Sequence, residues 1–108
     1  MPILREWRAE IRRGLSDEYV SYIGSTGLAD YRRTVGNLGA LIAVRHIDEE
    51  RTEVITLSMW TSLDAIRGFA GDPVDQARYY PKDERFLLTR PKTVKHYEAF
   101  GELVTPPD

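Results

Sequence analysis

The chain contains no cysteine. That excludes disulfide bridges, thiolate metal centres and a cysteine nucleophile. Histidine is almost as scarce, with only His46 and His96. Neither His-x-x-x-His nor Glu-x-x-His spacing occurs, so no metal site is expected. Gly24, Gly27, Gly36 and Gly39 match neither nucleotide-binding loop pattern. No charge surplus recommends a nucleic acid or an anionic membrane as partner: 15 basic and 17 acidic residues leave a net charge of −2. No apolar run approaches the roughly 20 residues of a membrane span. The stretch Met1-Pro2-Ile3-Leu4-Arg5-Glu6-Trp7-Arg8 lacks the apolar core of a secretory signal, and a cytoplasmic location is expected.

What is present is organised around Thr56-Leu57-Ser58-Met59-Trp60-Thr61-Ser62-Leu63-Asp64-Ala65-Ile66, where the period changes. Glu53–Trp60 alternates as a strand, with Ile55, Leu57 and Met59 on one face and Val54, Thr56, Ser58 and Trp60 on the other. Both faces are largely apolar, as in a central strand. Thr61 and Ser62 are both credible N-caps, with Asp64 completing a capping-box-like pattern. Leu63, Ile66, Phe69 and Ala70 then form a helical stripe that Gly71 stops.

The remaining elements follow from the same rules. Ile3, Arg5, Trp7, Ala9 and Ile11 alternate with charged positions in a first strand, which Gly14 ends. Ser16 is the expected N-cap of a helix with Asp17 and Glu18 in its first turn. Its stripe is Tyr19, Tyr22, Ile23 and Thr26, and Gly27 is its stop. Another helical turn is expected over Leu28–Arg33. Ala40–Ile47 is a second strand, joined by the polar loop Asp48–Arg51 to the third. Asp72-Pro73 is expected to open a short helix through Tyr80, which Pro81 breaks. A further turn over Lys82–Leu88 and a fourth strand over Thr93–Phe100 complete the chain.

This order is β-α-β-β-α-β, the split βαβ or ferredoxin-like arrangement of the α+β class, with a four-stranded antiparallel sheet and helices on one face. One domain over residues 1–101 and a loose tail over 102–108 are expected. The sheet's other face needs cover, and a second copy of the same sheet is the simplest, so a homodimer is expected.

Several side chains are candidates for chemistry. His96 and Glu98 share a face of the fourth strand, about 7 Å apart by strand rise, where imidazole and carboxylate could serve one cavity. The structural alternative is a hydrogen-bonded histidine and a solvated glutamate. Trp60 is read as a packing anchor, with a pocket wall as its functional alternative. Tyr79 and Tyr80 precede a helix-breaking proline and could line a pocket mouth. Arg5, which shares a face with Trp7, and Arg45 could each bind an anionic oxygen or simply pair with an acid.

The joint ending in Trp60-Thr61-Ser62, within this element order, resembles the antibiotic biosynthesis monooxygenase family of dimeric α/β barrels. So do Thr26-Gly27-Leu28-Ala29-Asp30-Tyr31, Tyr79-Tyr80-Pro81-Lys82-Asp83 and Val94-Lys95-His96-Tyr97-Glu98. The resemblance runs from about Ile3 to Phe100 and specifies fold better than chemistry. It implies a homodimeric barrel and cofactor-independent oxidation of a small aromatic or enolisable molecule. A phenol or enol would lose a proton, and its anion would give an electron to O₂. His96 would be the base; Trp60, Tyr79, Tyr80, Arg5 and Trp7 would hold the substrate. No cofactor is expected. Haem-degrading relatives ligate iron through a helical histidine, and the helices expected here carry none. A cofactor-free isomerase or lyase, or a non-catalytic ligand-binding dimer, are the alternatives.

Overall fold

The computed structural model describes residues 1–107; Asp108, the last residue of the expected tail, lies outside the described residues. The chain forms β1 (Ile3–Arg12), α1 (Ser16–Ser25), α2 (Gly27–Arg33), β2 (Asn37–His46), β3 (Arg51–Trp60), α3 (Leu63–Ala70), the single-turn α4 (Asp83–Phe86) and β4 (Lys95–Glu98). The four strands make one antiparallel sheet in the order β2-β3-β1-β4. This is the ferredoxin-like order, with β1 and β3 at the centre.

β1 and β3 pair without interruption from Ile3 opposite Trp60 to Arg12 opposite Arg51. Register and pleat then decide what faces the helices. Arg5, Trp7, Ala9 and Ile11 are buried, and their partners are Ser58, Thr56, Val54 and Thr52, also buried. Small hydroxyl side chains on β3 thus lie opposite the large Arg5 and Trp7 of β1. The core closes over this face with Tyr19 and Ile23 of α1, Leu28 and Tyr31 of α2, Ile66 and Phe69 of α3, and Phe86 of α4. On the opposite face Ile55, Leu57 and Met59 of β3 are only half-buried, with Ala43 and Leu41 of β2 beside the first two. Among the described residues no helix is long and apolar enough to cross a membrane.

The joint after β3 folds as its residues dictate. Ser62 is the N-cap of α3, its side chain accepting the Ala65 amide at 3.1 Å, so Ser62 rather than Thr61 is the capping residue. Ile66, Phe69 and Ala70 are buried, whereas Leu63, at the rim, is exposed. Gly71 ends the helix with φ +74°, a conformation costly to any residue with a Cβ.

Four expectations are corrected. Ser16 does not cap α1: a 3₁₀ turn over Arg13–Leu15 carries the chain into the helix, and Ser16 is buried within it. Gly27 does not end a helix but begins α2, the break falling at Thr26, whose amide is bonded back to Tyr22 and Ile23. Pro73–Tyr80 is not a helix. Its backbone groups find long-range partners instead, the Ala77 amide bonding Lys92 O and the Asp75 carbonyl accepting from Val94, both at 2.8 Å. The fourth strand is shorter than Thr93–Phe100, pairing with β1 only from Glu98 opposite Ile3 to Lys95 opposite Glu6.

Candidate functional site

The inward positions of β1 and β3 and the helices above them leave a narrow cleft of about 30 Å³. Arg5, Trp7 and Thr56 form its sheet wall; Tyr19, Ile23 and Gly27 come from the helix pair above; Tyr31 and Phe69 close the side. Arg78, Tyr80 and Asp83, from the irregular segment and the start of α4, and Val94, just before β4, complete it. The lining is therefore rich in aromatic rings, with two guanidinium groups and one carboxyl.

Arg5 is the unusual member. It is 1% exposed, yet among the described residues no carboxylate pairs with it. Its Nη1 donates to Val74 O at 2.8 Å and to His96 Nε2 at 3.0 Å, and its Nη2 donates to Gln76 O at 2.9 Å. Its Nε has no partner. Burial pulls its pKa down, and Tyr31, through its charge and a side-chain hydrogen bond, and then the Asp75 charge offset only part of this. The guanidinium carbon lies 5.6 Å from the Phe69 ring centroid, which supplies a partial cation–π compensation. A buried charge without a counter-ion is expensive, and folds keep few of them without a use for the charge.

The irregular segment explains how Arg5 is held. Because Pro73–Tyr80 is not helical, the Val74 and Gln76 carbonyls are free of helical bonds and accept from the guanidinium. Arg5 also sits opposite His96 in the β1–β4 register, on the helix-covered side of the sheet. A guanidinium has only donors, so His96 Nε2 is the acceptor and the ring proton is on Nδ1. Burial, and then the Arg5 charge, lower the His96 pKa.

Asp83, also in the lining, is 3% exposed. Its Oδ1 accepts from the Tyr19 hydroxyl at 3.2 Å and its Oδ2 from the Tyr80 amide at 2.7 Å. Burial raises its pKa despite those two bonds. The Tyr19 hydroxyl is raised too, by burial first and then by the Asp83 charge, and stays protonated. At the mouth Arg78 lies over the Phe69 and Tyr80 rings at 4.9 and 5.2 Å, and the Tyr80 hydroxyl donates to Asp30 Oδ2 at 2.5 Å. That bond, more than Arg33 or Arg78, lowers the Asp30 pKa.

Of the residues singled out from sequence, Arg5, Trp7 and Tyr80 line this cleft. Tyr79 stands one layer behind: its hydroxyl accepts from Trp7 Nε1 at 3.3 Å and donates to Pro91 O. Trp60 is also behind the wall. It is fully buried, donates to Ser58 Oγ at 2.8 Å and packs edge-on to Tyr31, which does line the cleft. His96 and Glu98 are not brought together over the cleft. His96 backs Arg5, and Glu98 is exposed at the end of β4. Arg45 is exposed at the edge strand and pairs with Glu53, and His46 is bonded to Thr52 Oγ1 at 2.6 Å.

Sequence reasoning missed Tyr19, Tyr31, Arg78 and Asp83 as site residues. A signal existed for three of them. Tyr31 and Asp83 end two of the runs that carry the family resemblance, and Tyr19 belongs to the apolar stripe of α1. Among the described residues no three His, Asp or Glu side chains converge as metal ligands.

No protein-family model and no curated protein matches this sequence. Solved structures do. Protein SO0527 from Shewanella oneidensis superposes with a TM-score of 0.63 at 17% identity, over 89% of this chain and 88% of that one. A protein designated an antibiotic biosynthesis monooxygenase from Bacillus cereus gives 0.62 at 13% identity, over 96% and 98%. SnoaB, a cofactor-independent oxygenase from Streptomyces nogalater, gives 0.59 at 15% identity, over 94% and 96%. At these identities the likeness speaks for fold and not for chemistry. The chain has the ferredoxin-like α+β fold of the antibiotic biosynthesis monooxygenase type.

Proposed function

We propose that this protein is a cofactor-independent oxygenase of a small, electron-rich phenol or enol, working as a homodimer. The observation that carries the reading is Arg5: a buried guanidinium with no counter-ion and a free Nε, set in an aromatic-walled cleft. Such a site favours a ligand that is flat, mostly apolar and negatively charged at one oxygen. A phenolate or enolate fits that description, and it is the form of the substrate that can pass an electron to O₂.

The reaction that balances replaces two hydrogens on one substrate carbon by one oxygen atom of O₂, the second oxygen leaving as water. Removal of a proton gives the anion, which Arg5 stabilises. Oxygen then adds at carbon, and loss of water from the resulting peroxide leaves a carbonyl. Trp7, Tyr31 and Tyr80 hold the ring and exclude water, which strengthens the Arg5 charge and protects the peroxide. Trp60 and Tyr79 keep these walls in place from behind. His96 is a positioning residue, because its Nε2 lone pair already holds Arg5. The fold shared with a cofactor-independent oxygenase raises the weight of this reading by analogy. The half-buried face carrying Leu57 and Met59 is the surface that a second copy would cover.

Oxygen uptake by the purified protein tests the reading, with anthrones, hydroquinones and polycyclic phenols as substrates and a chelator present. Turnover that requires O₂ and no added flavin, haem or metal supports it. Anaerobic turnover contradicts it in favour of an isomerase or lyase.

A further inference from the structure

The proposed reaction needs a group that receives the substrate's proton, and the lining that Arg5 belongs to holds one. We propose that Asp83 is the catalytic base of this cleft, taking the hydroxyl proton of a phenolic or enolic substrate whose anion Arg5 then retains. The inference rests on the oxygenase reading for its substrate class.

Asp83 and Arg5 line one cleft, and each is buried without an ion-pair partner among the described residues. Two opposite charges have therefore been buried in one chamber without being paired with each other. A ligand that bridges them satisfies both. An ionised carboxylate offers about four lone-pair directions. Tyr19 and the Tyr80 amide occupy two, one on each oxygen, so each oxygen keeps capacity for a substrate hydroxyl.

Electrostatics draw the two proton affinities together. Burial raises that of Asp83. A guanidinium beside a phenol lowers that of the phenol. Other charged or titratable neighbours act on Asp83 more weakly: Tyr19 from α1, and Arg90, which stands over the Tyr79 ring at 4.4 Å; Tyr79 in turn is raised by the Asp83 charge. In the transfer the substrate O–H bond breaks and an O–H bond forms on Asp83. The electron pair stays on the substrate oxygen. Negative charge moves from the Asp83 wall to the substrate, where Arg5 holds it. After oxygen has added, the same proton can return to the peroxide and leave in water.

Asp83 also closes the turn that leads from Tyr80 into α4 by accepting from the Tyr80 amide, a structural duty that Asp83→Asn retains with its amide oxygen. The test uses the whole protein, without oxygen, near neutral pH, and a naphthol that is un-ionised in bulk water. Naphtholate absorbs at longer wavelength than naphthol or tryptophan, and a pH indicator in weak buffer counts released protons. The expected result is naphtholate bound by the wild type with no proton released, and naphthol bound un-ionised by Asp83→Asn. Naphtholate that forms with release of a proton, or that persists in Asp83→Asn, overturns the assignment while leaving the oxygenase reading standing. Naphthol bound un-ionised by the wild type overturns it as well. No binding at all removes the cleft as a phenol site, and both readings with it. Should Asp83→Asn fail to fold, infrared difference spectra of the wild type decide where the retained proton sits: a protonated-carboxyl C=O band that appears with bound naphtholate supports Asp83, and naphtholate without that band contradicts it.

Discussion

Arg5 and His96 face each other across the β1–β4 pairing, with Nη1 3.0 Å from Nε2. The contact fixes the histidine as a neutral acceptor and the arginine in one orientation. Protonating His96 would set two cations against each other in a buried place, so the pair is sound only while the ring is neutral.

Stability should therefore depend on pH through His96. Its folded pKa lies below the ordinary value of 6.5, by burial and then by Arg5. The unfolded chain binds the proton more readily, so this contribution is present in full above about pH 6.5 and is lost as pH falls through the folded value. Asp83, with a raised pKa, acts in the opposite sense. The clean reading is a difference: between neutral and mildly acid pH, wild type should lose more thermal stability than His96→Gln, whose amide oxygen still accepts from Arg5. Parallel melting curves across that range would show that His96 is already free to titrate.

Trp60→Ala should cost ~3–5 kcal/mol of stability, the usual loss for truncating a buried tryptophan. The ring is 0% exposed, its N–H is satisfied by Ser58, and it packs on Tyr31 and Phe69. Urea denaturation measures this. Because Tyr31 and Phe69 form the side wall of the cleft, ligand affinity should fall in the same variant even where it is fully folded. An unchanged midpoint would place the indole outside the core.

The protein should be a dimer in solution. Leu57 and Met59 are half-buried on the face away from the helices, Leu41 lies beside Leu57, and Tyr97 of β4, also on this face, is 44% exposed. A single copy leaves this area in water. Light scattering should give about twice the 12.4 kDa of one chain at micromolar concentration. A monomer would contradict the dimeric barrel.

The parts of this fold legible in the sequence are those where local signals and tertiary demands agree. β1 and β3 alternate because one face of each is core. The Ser62 cap and the Gly71 stop are local chemistry, as is the apolar stripe between them. Pro73–Tyr80 misled because Asp-Pro is a good helix opening locally, whereas the Val74 and Gln76 carbonyls are engaged by Arg5, about 70 residues away in sequence. The site was partly legible for the same reason. Arg5 and Trp7 could be placed on one face, but that Arg5 lacks a counter-ion is a statement about every residue around it. His96 and Glu98 share a face as their spacing requires. That His96 backs Arg5 while Glu98 lies exposed depended on the register against β1, which no local pattern carries. Asp83 was one residue of the turn expected over Lys82–Leu88, and its burial beside Tyr19 is a matter of long-range packing.

The central claim is that Arg5 makes the cleft a holder of phenolate or enolate anions. The most direct measurement is calorimetric titration with dinitrophenolate, which is ionised at neutral pH, and with its methyl ether, which has the same ring and no charge. Wild type should bind the anion more tightly than the ether, Asp83 taking up one proton from solution as it does so. Arg5→Gln, which keeps an N–H donor for the nearby carbonyls, should weaken the anion roughly 10- to 100-fold, the worth of one charge-assisted hydrogen bond, while binding the ether as wild type does. Equal affinity for anion and ether in the wild type, or an anion affinity untouched by Arg5→Gln, would contradict the account.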